Sequence, residues 1–175
     1  MTQLVTERLM LRDFAWSDQE SVHAFASDPQ VTRFMEWGPN DEHDTRAFLT
    51  MAVAQPTHRE RAEFEFAAVL NQSGQVIGSV SLRITNRLHQ HGELGYVFAA
   101  AAWSRGYATE ATKALLHFGF GPLGLHRITA TCHPDNVGSA RVLEKAGMIR
   151  EGRLRDHKLV RGQWRDSLLY AAIQP

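Results

Sequence analysis

The chain has 175 residues, 43% hydrophobic and 22% charged, with 19 Lys plus Arg balancing 19 Asp plus Glu. That makeup suits one globular domain, residues 1–175, with a substantial core, and zero net charge argues against direct nucleic-acid binding as the main task. The single cysteine, Cys132, rules out an internal disulfide and fits a reducing cytoplasm, and the longest apolar run, Tyr96 to Trp103, is far too short for a membrane span.

Met1 to Arg8 lacks the basic and apolar regions of a signal peptide. Leu9 to Phe14 reads as the first strand. Ser17-Asp18 is placed to cap a helix from Gln19 to Ala26, which Asp28-Pro29 interrupts. Val31 to Met35 reads as a short helical turn, and Glu36-Trp37-Gly38-Pro39-Asn40 as a loop. Asp41 to Val53 is a second helix with part of an apolar stripe at Phe48, Leu49 and Ala52. A loop at Gln55 to Arg59 follows. Phe64 to Leu70 and Val76 to Ile84 read as strands across the turn Asn71-Gln-Ser-Gly74, and Gly92 to Phe98 as the fourth strand. A helix runs from Thr109 to Phe118, and Arg127 to Cys132 is a β-branched strand. Asn136 to Ala146 is a helix closed by Gly147. Met148 to Asp156 and Ser167 to Ile173 are two final strands around Gly162. The basic cluster Arg150, Arg153, Arg155, Lys158, Arg161 and Arg165 is read as their solvated surface. The order implies one mixed α/β sheet with helices on both faces and no domain boundary.

Tyr96 to Ala111 is the most informative stretch. A strand-like run ends at Trp103-Ser104-Arg105-Gly106-Tyr107-Ala108, and a helix opens at once. A strand that stops at a Gly-containing turn before a helix leaves several N–H groups free near the positive end of the helix dipole. Phosphates bind readily there, and Gly106 and Ala108 let a ligand approach the backbone closely. The pattern therefore suggests a pyrophosphate cradle without naming its ligand.

Two other motif matches carry less. Gly119-Phe-Gly121-Pro-Leu-Gly124 fits the dinucleotide pattern G-x-G-x-x-G, but it follows a helix and opens a strand, the reverse of the required context. The nine histidines show no zinc-finger or H-E-x-x-H spacing, so no metal is expected. A further segment, His133-Pro-Asp-Asn136-Val-Gly-Ser139 to Gly147-Met148, reads in two ways. Asn136 is a good helix cap, or Asn136 and Ser139 face a ligand between this helix and the cradle.

Together the two segments, Trp103-x-x-Gly106-x-Ala108-Thr-Glu-Ala and Asn136-x-x-Ser139 through Glu144-Lys-Ala-Gly147, resemble the GNAT N-acetyltransferase superfamily. Within it the chain is most similar to the RimJ/RimL-like branch of ribosomal-protein N-terminal acetyltransferases. Thr6 to Arg12 resembles that branch's opening strand. Asp28 to Phe34 with Trp37-Gly-Pro39 resembles its substrate-side helix and loop, and Gly162 to Asp166 with Leu168 to Ala171 its final hairpin.

The resemblance implies a mostly antiparallel seven-stranded sheet with splayed strands four and five. It also implies acetyl transfer from acetyl-CoA, the co-substrate, to an amine. It gives the pyrophosphate to Ser104, Arg105, Gly106, Tyr107, Ala108 and Thr109, and CoA contacts to Asn136. Trp103 stands where the family usually has Gln or Arg, as is common in this branch. The strand-four positions Tyr96 and Val97 are those whose backbone N–H polarises the thioester carbonyl. Strand alternation puts Glu93 beside Gly95, and Glu93 matches a strand-four Glu of many relatives, so it is the first candidate for general base. An α-amine with pKa near 8 is roughly a tenth neutral at pH 7, so a modest base suffices. Lys158 occupies the position of a sixth-strand Glu that some members use, with Asp156 and His157 as weaker substitutes. Ser139 matches the branch's general acid, since Val142 and Leu143 stand where other branches place a Tyr. Arg33, Glu36 and Trp37 are expected to shape the acceptor pocket together with Glu93.

The expected acceptor is a protein or peptide N-terminus. A small amine such as a polyamine, with Glu36, Asp41, Glu42 and Asp44 as its carboxylates, is the alternative, and a non-catalytic acyl-CoA-binding module the second. A monomer or homodimer without membrane contact is expected.

Overall fold

The computed structural model describes residues 2–57 and 61–174. Among the described residues eight strands form one sheet: β1 (Gln3–Val5), β2 (Leu9–Asp13), β3 (Glu63–Leu70), β4 (Val76–Asn86), β5 (His91–Phe98), β6 (Arg127–Cys132), β7 (Ile149–Val160) and β8 (Gln163–Ile173). Their order is β1-β2-β3-β4-β5-β6-β8-β7, and only β5 and β6 pair in parallel. The helices are α1 (Gln19–Ala26), α2 (Pro29–Thr32), α3 (Glu42–Ala54), α4 (Tyr107–Phe120) and α5 (Val137–Lys145).

Alternation along the strands divides the core. Phe64, Phe66, Leu82, Leu94 and Phe98 point to one face and pack with Ala111, Leu115 and Phe118 of α4 and Leu143 of α5. Ala67, Val69 and Val76 point to the other, against Val22 and Phe25 of α1 and Leu49 and Ala52 of α3. Helices thus cover both faces, as expected.

The sheet has one strand more than the seven expected. The extra strand, β1, is three residues long with only Leu4 half-buried, so its sequence carries almost no alternation. Tertiary bonds hold it instead: Glu110 of α4 accepts from the Thr6 hydroxyl at 2.6 Å and the Arg8 N–H at 2.8 Å, next to the β1–β2 turn. The last hairpin is also longer than expected. Strands β7 and β8 meet across Arg161 and Gly162, with φ of 49° and 76°, the double left-handed geometry of a tight two-residue hairpin turn.

Local chemistry sets the helix starts. Asp28 accepts the Gln30 N–H at 2.8 Å and Pro29 takes the first helical position, so α2 begins two residues before the expected Val31. Asp41 and Asp44 close a capping box on α3. Asp18 does not cap α1 with its side chain. It turns back to take the Ala15 N–H at 2.9 Å and both Arg12 guanidinium nitrogens at 2.7 and 2.8 Å. Gln55–Thr57 forms a 3-10 turn, and the rest of the expected loop to Arg59 lies outside the described residues.

Candidate active site

Strands β5 and β6 pair only at His91↔Arg127, Gly92↔Ile128 and Glu93↔Thr129, then diverge. The gap has donors on one wall. Ala99 donates to Ile77 of β4 at 2.9 Å, so alternate residues Val97 and Gly95 turn their N–H groups to β4. Gly92 offers its carbonyl to Thr129 of β6 at 3.2 Å, which sets the opposite phase for Leu94, Tyr96 and Phe98. The Tyr96 N–H therefore faces the gap. Val97, expected to share that role, spends its N–H on the ladder, and its side chain packs in the α1–α3 cluster.

Strand β5 ends at Phe98, earlier than the expected run to Trp103, and a 3-10 turn at Ala100–Ala102 follows; beyond it Ser104 and Gly106 take positive φ of 60° and 81°, and Gly106 precedes α4 directly. Among the described residues, no N–H from Ser104 to Thr109 donates to a backbone carbonyl; the first is Glu110, to Gly106 at 3.0 Å. Six free donors at the start of a fourteen-residue helix fit a diphosphate. Arg8 braces this loop. It donates to the Arg105 carbonyl at 2.9 Å, pairs with Glu110 at 2.7 Å and lies 4.8 Å above the Tyr107 ring. Burial would raise the Glu110 carboxyl, but donation from Thr6 and Arg8 outweighs it and holds it below the usual range. A Cβ on Gly106 would come within 3.3 Å of the Arg8 guanidinium, so the turn suits glycine on two counts.

Asn136 caps α5, its Oδ1 accepting the Ser139 N–H at 3.1 Å, and it also lines a cavity. The Tyr96 hydroxyl lies 2.8 Å from Ser139 Oγ and 3.1 Å from the Ser139 carbonyl. Burial pushes that phenol well above its ordinary value, so it stays protonated. Cys132 also adjoins Ser139, and burial raises its thiol.

The cavity holds about 550 Å³ and runs from this Tyr96–Ser139 pair to the opposite face of the sheet. Its sheet floor carries Glu63 and Glu65 of β3, Ser81 and Arg83 of β4, and Glu93 and Gly95 of β5, all on one face by cross-strand register. Phe34, Met35, Glu36 and Trp37 form the far wall with Lys158, Arg165 and Asp166 of the last hairpin. Arg161 ties that wall down by donating to the Gly38 carbonyl at 2.6 Å and the Trp37 carbonyl at 3.2 Å. Phe34 stacks on His133 at 5.1 Å.

The expected residues divide accordingly. Glu93, Tyr96, Asn136, Ser139, Glu36 and Trp37 share the cavity wall. Glu93 pairs with Arg83 at 2.8 Å, its side chain 31% exposed. Glu36 pairs with Lys158. Arg33 is exposed over the Phe34 ring and is not part of the cavity lining. Asp156 and His157 are not part of it either; His157 contacts Ser167 at 3.0 Å. Asp41 and Asp44 are occupied by the α3 capping box.

One residue escaped the sequence: Glu65. Its carboxylate accepts from the Ser79 hydroxyl, and burial, with nearby Glu63 adding to it, raises it to about 7. The alternation Glu63-Phe64-Glu65-Phe66 was the available signal, since it sets two carboxylates on the face opposite two core rings.

A model of the acetyltransferase (GNAT) domain matches residues 8–149. The uncharacterized N-acetyltransferase YnaD of Bacillus subtilis (strain 168) is 33% identical over 171 residues, covering 98% of this chain and 96% of that protein. The crystal structure of a GNAT-family acetyltransferase from Bacillus anthracis superposes with a TM-score of 0.87 at 34% identity, over 99% of both chains. The ribosomal-protein-S5-alanine acetyltransferase of Vibrio fischeri shares the fold, with a TM-score of 0.83 at 23% identity over 99% of this chain and 97% of that one.

Proposed function

The chain belongs to the GNAT family and is an acetyl-CoA-dependent N-acetyltransferase, and we propose that its acceptor is the N-terminal α-amine of a peptide or protein, as in the ribosomal-protein branch. The charge balance of the cavity carries this reading. Three of its carboxylates are neutralised: Glu36 by Lys158, Glu93 by Arg83 and Asp166 by Arg153. Glu63 and Glu65 alone among its lining carboxylates have no ion-pair partner among the described residues. Two adjacent free carboxylates suit one amine; a polyamine needs a longer acidic track. Lys158 and Arg165 on the opposite wall suit peptide carbonyls.

Acetyl-CoA supplies the thioester whose acyl carbon the amine attacks. The N–H groups of Ser104 to Thr109 hold the diphosphate, and the Asn136 side-chain amide adds a donor along the cofactor path. The Tyr96 N–H, turned into the gap between β5 and β6, donates to the thioester carbonyl oxygen as negative charge builds there. Ser139 Oγ protonates the departing sulfur, resupplied by the Tyr96 phenol 2.8 Å behind it. A thiolate with pKa around 8.5 needs no stronger acid. Glu93, with Arg83 fixing one of its oxygens, orients the acceptor, and Glu36 and Trp37 enclose it.

Purified protein should be given acetyl-CoA with peptides of varied N-terminal residue, their Nα-blocked counterparts and spermidine. Free N-termini should drive CoA release and blocked ones should not. A kcat/KM for spermidine above that of every peptide would overturn the acceptor assignment.

A further inference from the structure

Glu65 has no task in the fold that its burial explains. Its side chain sits on the cavity floor, and its one polar side-chain partner among the described residues is the Ser79 hydroxyl. Even a half-buried carboxylate is costly without a cation, so its presence calls for another account.

The row Glu65↔Ser81↔Gly95 crosses β3, β4 and β5 on the acceptor face. Ser81 is short and Gly95 has no side chain, so the row is a trough. It leads from the Glu65 carboxylate to the backbone beside Tyr96. Adjacent strands lie about 4.8 Å apart. The Ser79 hydroxyl that holds the carboxylate belongs to β4, one register step from Ser81 and opposite Val97, while Glu65, Ser81 and Gly95 themselves line the cavity, which has room for an amine nitrogen or one water. Glu93, by contrast, has its Oε2 bound by Arg83 and sits nearer the rim.

We propose that Glu65 is the proton acceptor of the reaction, taking the proton from the acceptor amine directly or through one water. The inference rests on the acyl-transfer reading above but not on which amine is used. As the amine lone pair forms the C–N bond, the N–H proton passes to the Glu65 carboxylate. The C–S bond breaks with its electron pair going to sulfur, and sulfur takes a proton from Ser139. Glu65 then loses its proton to water, and Ser139 regains one from the Tyr96 phenol, which takes its own back from water.

Other charged groups face the same space. Glu63 beside it raises its proton affinity, and burial does so more strongly. Arg83 and Glu93 on the neighbouring strands form a closed pair, as do Glu36 and Lys158 across the cavity. Arg165, Asp166 and His133 line the remaining wall. The resulting affinity, near 7, leaves about half of the carboxylate unprotonated at neutral pH and still avid for the amine proton.

The test compares Glu65→Gln, Glu65→Asp, Glu93→Gln and Ser79→Ala with the wild type, using the best acceptor and saturating acetyl-CoA. Glu65→Gln should lower kcat about 100-fold and abolish the acid limb near neutrality, with the acetyl-CoA Kd within about twofold of wild type. Glu65→Asp should restore part of kcat, and Glu93→Gln should keep the limb. Ser79→Ala removes a donor to the carboxylate and should move the limb to higher pH. A Glu65→Gln enzyme that keeps both kcat and the limb overturns the proposal. A second readout needs no acceptor: the Glu65 carboxyl signal in protein carrying 13C at Glu Cδ, assigned with these variants. Titration in the ordinary carboxylate range overturns the proposal whichever amine is acetylated. Titration near neutrality in a protein that rejects every peptide supports Glu65 and refutes the peptide acceptor.

Discussion

Replacing Tyr96 with Phe removes one hydroxyl and leaves the gap-facing N–H of the same residue in place. The variant thus separates proton supply from carbonyl polarisation. The hydroxyl makes contacts of 2.8 and 3.1 Å, both to Ser139. Each is worth about 1 kcal/mol net, so stability should fall by about 1–2 kcal/mol, a Tm loss of roughly 3–6 °C. Catalysis should fall further. A positioned acid contributes about 100-fold, or about 2.7 kcal/mol of transition-state stabilisation, and Tyr96 and Ser139 are two links of one relay. Tyr96→Phe and Ser139→Ala should each lower kcat about 30- to 100-fold, and the double variant scarcely more than the worse single. That corresponds to a coupling energy of about 2 kcal/mol. The assay is kcat at saturating acetyl-CoA with thiol release followed continuously, beside Tm for each variant. Multiplicative losses, or a Tyr96→Phe kcat within threefold of wild type, would refute the relay.

Three other outcomes follow from the geometry. Arg161→Ala frees the carbonyls of Trp37 and Gly38, so the acceptor KM should rise about tenfold while the acetyl-CoA Kd stays put; equal changes in both would contradict the division of the site. Glu65 rises from an ordinary 4.5 to about 7 on folding, so its contribution to stability is complete below pH 4.5 and is lost as pH climbs through 7. Glu65→Gln should accordingly gain on wild type by up to about 3 kcal/mol at pH 8 but not at pH 4.5, read as Tm against pH. Arg12→Ala strands the Asp18 carboxylate, 5% exposed, and should cost about 3 kcal/mol. Burial alone would raise Asp18, but the Arg12 and Ala15 bonds hold it below its usual value, so its stabilisation is present above the ordinary Asp range and lost as pH falls through the folded value. The penalty of Arg12→Ala should therefore shrink in acid, as urea unfolding at pH 7 and pH 3 would reveal.

The donor half of the site was legible because its chemistry is local. A glycine turn at Gly106 that opens a helix, and Asn136 three residues ahead of Ser139, are contiguous patterns that imply free N–H groups and a capped helix without knowledge of the partner strands. The acceptor half depends on register. Glu65 meets Ser79 across β3 and β4, Glu93 meets Arg83 across β4 and β5, and Glu36 meets Lys158 over 122 positions of sequence. Such pairings decide which carboxylate is neutralised and which is free, and no single window contains them. The same holds for β1, whose three residues pair because Glu110 grips Thr6 and Arg8 from a helix about a hundred residues away. Arg33 fell outside the cavity, exposed with its guanidinium over the Phe34 ring, while Phe34 to Trp37 line the wall.

The acceptor proposed above is a peptide α-amine, acetylated by acetyl-CoA. Mass spectrometry of a peptide with both a free N-terminus and an internal lysine, after reaction with 13C-labelled acetyl-CoA, tests it most directly. One label on the N-terminal nitrogen is expected for each CoA released. Label confined to the lysine, or CoA released with no labelled peptide, would contradict it.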